Sequence, residues 1–312
     1  KWLAAITSMI GGMTAILASS TVNVAFPDIM GAFGIGRDQA QLLSTGYFAA
    51  TTAGMLISSW LINSFGERTT YTGALLVFLL GAAMSGLAQN TETLMIGRVL
   101  QGGSSGIVMP LGMTVTFSVF PTNRKGSSMG FYSMGMVLAP TLGPTLGGLA
   151  IEYFNWRYVF LLTLPSTGIA LLMGLLFMPS RAMPKRLPRF DFIGFAFFCI
   201  AMSSLLLGFS YGQRLSWTSN EIIGLFVLGS TAAVGFAFRQ VYGDAPFINL
   251  ALFRNIQFVA ASAIAFFAGC AFLSSTFLVP LFVQQIQSYT AFYAGLMMMP
   301  GGLSLLLMYP LT

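Results

Sequence analysis

The sequence predicts an all-α, polytopic membrane bundle, and three observations carry that expectation. Of its 312 residues 56% are apolar and only 7% are charged, where a soluble domain would hold about a quarter of its residues as charges. The mean hydropathy is +0.81. The apolar residues also fall into runs of about the length that a helix needs to cross hydrocarbon, separated by short connections in which basic residues cluster. The formal charge of +6 is therefore spread as topology signals rather than as one basic face, and no nucleic-acid partner is expected. Cys199 and Cys270 lie far apart within apolar runs, which gives a disulfide or a metal nothing to build on. There is no histidine, so imidazole catalysis, proton relay and metal ligation are excluded within this sequence. With no nucleophile–base pair and no phosphate-cradling loop, neither an enzyme nor a cofactor is expected; Gly31 to Gly36 reads as a short loop.

Ten candidate spans follow in order. The first is Leu3–Pro27, headed by Trp2 as an interfacial anchor. The second is Leu42–Ile62, the third Thr70–Ala88 and the fourth Leu94–Phe120. The fifth, Ser128–Phe154, is described below, and the sixth is Tyr158–Met178. The seventh (Phe192–Gly212), the eighth (Glu221–Phe238), the ninth (Phe258–Val283) and a tenth from Phe292 onward complete the set. Placing Lys1 in the cytoplasm puts Lys1, Arg68, Arg124, Lys125, Arg181, Lys185, Arg186, Arg189, Arg239 and Arg254 on that side, against Arg37, Arg157 and Arg214 on the other. Basic residues concentrate on the cytoplasmic side of membrane proteins, so the amino terminus is expected there. Trp156 and Trp217 then fall at the far interface and Trp60 at the near one.

The fifth span organises the rest. Gly135 to Gly148 carries four glycines and two prolines, Pro140 and Pro144. In a water-soluble helix each proline would cost about 3 kcal/mol and each glycine up to about 1 kcal/mol. A membrane helix tolerates them where a neighbour packs on the bare backbone. Gly135, Ala139, Gly143 and Gly147 form a small-residue stripe at four-residue spacing. Tight packing in a static assembly would use such a face; so would a pliant helix in a carrier that rocks between two states.

Several motifs resemble one family. Ala139-Pro140-Thr141-Leu142-Gly143-Pro144-Thr145-Leu146-Gly147-Gly148 is similar to the antiporter motif of the major facilitator superfamily. Leu94 to Gly102, containing Arg98 and Gln101, resembles its R-x-x-Q-G motif. Thr21-Val22-Asn23-Val24-Ala25-Phe26-Pro27 is similar to the first-helix signature of the fourteen-span drug:proton antiporters of the EmrB/QacA type. Asn155 to Phe160 and Pro246 to Asn255 resemble two further segments of that group, which Gln284 and Ala294-Gly295 to Pro300 continue. The resemblance implies a six-helix bundle over residues 1–178, a basic cytoplasmic linker at 179–191, two extra helices within 192–238, and the start of a second bundle over 239–312. Four further helices are then expected beyond these ten. It also implies a bacterial inner-membrane exporter of amphiphilic compounds or drugs, with the lipid bilayer, protons and a periplasmic adaptor protein as partners.

The departures from the family bear on mechanism. The family's first helix carries an aspartate as its usual proton-coupling group, and Ala18 stands in that position. The loop after the second helix normally locks the cytoplasmic face by charge pairing; here Asn63, Gly66 and Arg68 remain of it, with Asn63 still able to cap or hydrogen-bond. Asp28, Asp38, Glu67, Glu92, Glu152, Asp191, Glu221 and Asp244 all fall in loops or at span ends. The coupling acid therefore lies in the missing helices, or it is Asp28 or Glu152, or transport is not proton-driven.

Arg98 is the single basic residue inside a span, where it costs about 2.5 to 3.5 kcal/mol on insertion scales. Either it snorkels to the interface, or it faces a cavity and donates to Asn23, to Gln101 or to an anionic substrate. Without an acid at position 18 that cavity would favour anionic amphiphiles. Thr21 belongs to a hydroxyl patch with Ser19 and Ser20, which either back-bond to their own helix or line the cavity. Tyr47 and Gln41 match family positions, and Tyr132 with Ser133 is a further cavity candidate. Besides a polyspecific exporter, a dedicated carrier of an anionic lipid or metabolite and a transport-inactive scaffold or sensor remain open.

Overall fold

The computed structural model describes residues 1–180, 189–243, 245–248, 250–290, 292–297 and 300. Arg181, Lys185, Arg186 and Asp244 of the expected loops, and the tenth span beyond residue 300, lie outside them. The described residues are mainly helical, with no strand among them. The helices are α1 (Trp2–Phe33), α2 (Arg37–Phe65), α3 (Glu67–Gly86), α4 (Thr91–Val119), α5 (Lys125–Tyr153), α6 (Tyr158–Leu161), α7 (Thr163–Phe177), α8 (Phe192–Leu215), α9 (Asn220–Tyr242) and α10 (Ile256–Gln285).

Seven stretches among the described residues are long and apolar enough to cross a membrane: α1, 122–153, α3, 158–177, α8, α9 and α10. The expected ten are not reached. α2 and α4 have 29 residues each but carry too many polar groups to qualify, and the tenth stretch is mostly undescribed. The sixth span is one apolar rod interrupted at Leu162, between α6 and α7. Pro27 does not end the first helix, which runs on to Phe33. A proline removes one hydrogen bond and bends a helix without stopping it where neighbours hold the turn, and Val24, Ala25 and Phe26 are all buried just before it. Gly34 closes α1 in the left-handed conformation, φ 61°, its N–H reaching the Met30 carbonyl.

The contacts divide the chain into two units, 1–187 with 280–312, and 188–279. In the first, α1 packs on α4, α5 and α7, and α4 packs on α1, α2 and α3. Tyrosines pin these helices: Tyr71 of α3 donates to the Thr7 carbonyl of α1 at 2.6 Å, and Tyr132 of α5 to the Met109 carbonyl of α4 at 2.9 Å. Around Tyr71 an apolar core forms from Leu75, Val108, Leu111, Val115, Ala170 and Met178. At one end α2 passes to α3 through Gly66 alone, at φ 78° and ψ 167°, a conformation that an L side chain rarely adopts. Trp156, in the turn between α5 and α6, is buried with its ring 5.3 Å from Phe33 at the end of α1.

The second unit contains a hairpin of α8 on α9, with Phe198 facing Phe236 (5.4 Å) and Phe209 facing Phe226 (5.0 Å). Asp191 caps α8 by accepting from Gly194 N–H at 3.0 Å, and it also takes two hydrogen bonds from Arg239 of α9, at 2.7 and 3.2 Å. The Arg239 hydrogen bonds, aided by the cap, hold its carboxyl below the usual carboxylate range against the opposing effect of burial.

Candidate functional site

The site is built where α1, α2 and α4 meet. α4 begins at Asn90, whose side chain accepts from the Thr93 N–H at 2.7 Å. Arg98 follows two turns on. Its side chain is fully buried and runs toward Ala18, which lies at the middle of α1. Nη1 donates to the Ala18 carbonyl at 3.1 Å and to Gln101 Oε1 at 3.2 Å, and Nε to the Leu43 carbonyl of α2 at 3.4 Å. The guanidinium lies over the Tyr47 ring at 4.1 Å and near the Phe160 ring of α6 at 5.9 Å, an arrangement in which ring faces attract the cation. Nη2 has no partner, and neither has Nε2 of the fully buried Gln101.

Tyr47 closes the cluster from α2. Its hydroxyl donates to the Ala15 carbonyl of α1 at 2.7 Å and lies 2.7 Å from the Ser105 hydroxyl of α4. Arg98, Gln101 and Tyr47 thus form one buried constellation, which ties three helices together through backbone carbonyls. Snorkelling is excluded by the absence of any exposed surface. The side chain lines no open surface among the described residues. Asn23 is not its acceptor: that amide is half-buried and accepts from Ser44 at 3.5 Å.

The other expected residues separate from this cluster. Thr21 is buried and bonds back to the Leu17 carbonyl at 3.0 Å, as Ser19 does to Ile16 at 2.7 Å, so the hydroxyl patch is satisfied within its own helix. Asp28 and Glu152 are exposed, Asp28 near the end of α1 and Glu152 near the end of α5. Tyr132, also expected at a cavity, is buried in its bond to α4. Gln41 is exposed.

α5 runs unbroken through Pro140 and Pro144. Ala139, Gly143, Pro144, Gly147 and Gly148 are buried and Pro140 half-buried. The stripe faces α1: a Cβ on Gly135 would meet the Met9 side chain, one on Gly143 the Ser20 hydroxyl, and one on Gly147 Val24 Cγ2 (2.8 Å) and the Thr21 carbonyl (2.9 Å). The Ser20 hydroxyl also reaches the Ala139 carbonyl at 3.5 Å. At the Gly66 turn, Arg68 Nε donates to the Met178 carbonyl at 2.9 Å, fastening α3 to the end of α7. Asn63 is exposed and caps neither helix, because the Gly66 backbone closes both: its N–H bonds Ile62 and its carbonyl takes Thr70 N–H.

Sequence reasoning missed the Ala15, Ala18 and Leu43 carbonyls, Ser105 and Phe160. Backbone acceptors leave no trace in side-chain identity. Phe160 lay within a quoted segment, but nothing in that segment tied it to Arg98.

A sequence profile described as Major Facilitator Superfamily matches residues 8–312. An uncharacterized MFS-type transporter, YhcA, of Bacillus subtilis is 32% identical over 98% of this chain and 58% of its own length. The multidrug export protein EmrB of Haemophilus influenzae is 30% identical over 95% of this chain and 58% of its own. The chain thus spans about three fifths of the length of these curated relatives. A solved structure of the peptide transporter POT in complex with sulfate superposes with a TM-score of 0.65 over 99% of this chain and 67% of its own, at 13% identity, which shows a shared fold.

Proposed function

The chain belongs to the major facilitator superfamily, and from that premise we propose that it is the membrane bundle of a secondary active exporter that moves amphiphilic compounds by alternating access. One observation carries the reading. The small-residue stripe of α5 lies against α1, and most of what its glycines approach is side chain that can shift, while two prolines weaken α5's own hydrogen-bond ladder. A seam of that kind lets α5 bend and slide on α1 as the bundle rocks, and the paired prolines add a pliancy that close packing alone does not require. The likeness to the EmrB and YhcA transporters is in keeping with this.

We place the substrate near the midplane between this bundle and a second one, as is general for such carriers, with α1 and α4 along it. Proton coupling runs through an acid outside the described residues, because the described acids lie at helix ends. The amino terminus is cytoplasmic on the strength of the basic-residue asymmetry, and the likeness to bacterial MFS transporters supports a bacterial inner membrane. Everted vesicles carrying the protein test this with a pH-sensitive dye. Export of an amphiphilic dye with substrate-evoked proton movement is expected. Export without proton movement removes the coupling assignment; no export of any compound in a broad panel overturns the reading. Export confined to one compound in that panel makes it a dedicated carrier.

A further inference from the structure

We propose that Arg98 imposes a standing positive charge on the interior of this bundle and so selects neutral or anionic ligands against lipophilic cations. The inference rests on the exporter reading and names its substrate class. All the acceptors of the guanidinium are uncharged: the Ala18 and Leu43 carbonyls, Gln101 Oε1 and the faces of Tyr47 and Phe160. No carboxylate among the described residues offsets it. Asp28 and Glu152 are exposed near the ends of α1 and α5; Asp38, Glu67, Glu92 and Glu221 stand in the first turns of α2, α3, α4 and α9; Asp191 is taken by Arg239. Arginine stays protonated in proteins, so the charge cannot be removed by loss of a proton. Two buried donors, Arg98 Nη2 and Gln101 Nε2, remain unpartnered beside it, and both favour negative potential nearby.

The selection needs no contact, which matters because the guanidinium is fully enclosed. At ~8 Å and an effective dielectric of ~20, one unit charge disfavours another of like sign by roughly 30-fold, equivalent to about 2 kcal/mol. A ligand beside the α1–α4 pair feels that field wherever water is thin. Gln101 offers a test that keeps shape, because its Oε1 already accepts from Arg98: Gln101→Glu puts a carboxylate in the same place. Arg98→Gln, which removes the charge from the other side, serves as the second variant.

The probes are tetraphenylborate and tetraphenylphosphonium, equal in shape and opposite in sign. Equilibrium binding to the detergent-solubilised protein, corrected against empty micelles, is expected to favour the borate at least about tenfold in the wild type. Gln101→Glu and Arg98→Gln should each bring the ratio toward one. Equal or tighter phosphonium binding by the wild type, or a ratio unmoved in Gln101→Glu, overturns the proposal. A protein that exports in everted vesicles yet fails this test leaves the exporter reading standing. One that neither exports nor binds either ion overturns both.

Discussion

Two seams in the first unit are lined with glycine and behave differently. Between α2 and α4, a Cβ on Gly102 would strike the Tyr47 carbonyl, one on Gly106 the Thr51 carbonyl, and one on Gly54 the Gly103 carbonyl. Backbone rests on backbone there, and a carbonyl within a helix cannot turn aside. Between α1 and α5, Gly135 and Gly143 approach the side chains of Met9 and Ser20, and only Gly147 is close to a carbonyl. The first seam is closed by fixed backbone, and the second is the face that the proposed rocking would use. Arg98 and Tyr47 reinforce the first, since both fasten α2 and α4 onto α1 through carbonyls. A count of glycines alone ranks the two seams alike; what the glycines touch distinguishes them.

The contrast is broken most directly by adding one methyl to each seam. Gly106→Ala should give the largest effect, a destabilisation of about 1–3 kcal/mol or more from overpacking against fixed backbone, read as loss of monodisperse protein and a lowered unfolding midpoint. Gly135→Ala should cost less than about 1 kcal/mol, because Met9 has flexible torsions to yield, yet it should slow export. Adding Met9→Ala should recover that rate, and additivity of the two changes would show that they do not share the seam. Equal destabilisation by Gly106→Ala and Gly135→Ala would erase the distinction. Tyr47→Phe keeps the ring under Arg98 and removes the hydroxyl, so a loss of about 1 kcal/mol is expected from its hydrogen bonds, visible as a smaller shift of the same midpoint.

An effect of about the size of that of Tyr47→Phe belongs to the second unit. The Asp191 carboxyl is held below its usual range chiefly by Arg239. Its contribution is therefore fully present above the unfolded carboxylate pKa and is lost as pH falls through the lower folded value. Asp191→Asn should cost on the order of 1 kcal/mol at neutral pH, with the gap to the wild type closing in acid. Thermal unfolding across that range checks it; a gap that widens in acid would contradict the pairing.

Much of this was legible in advance. Helices cover each of the first nine expected stretches, seven of them apolar enough to cross a membrane, and the stripe from Gly135 to Gly147 does present one small-residue face to a neighbour. The identity of that neighbour was not legible, because four-residue spacing specifies a face but not its partner. Pro27 misled, since a proline marks a weak turn and tertiary packing decides whether the helix continues. Arg98 was singled out by its cost in a span and Gln101 was named as an acceptor, but the other two acceptors, at Ala18 and Leu43, are carbonyls and carry no residue code.

The joint at Gly66 has a consequence for how the chain is made. α2 is too polar to be held by lipid on its own composition, whereas α3 qualifies, and a single residue separates them. The short joint favours insertion of the pair as one hairpin, the more apolar arm accompanying the less apolar one into the bilayer. Lengthening that joint would expose α2 to insertion by itself and make its topology depend on timing.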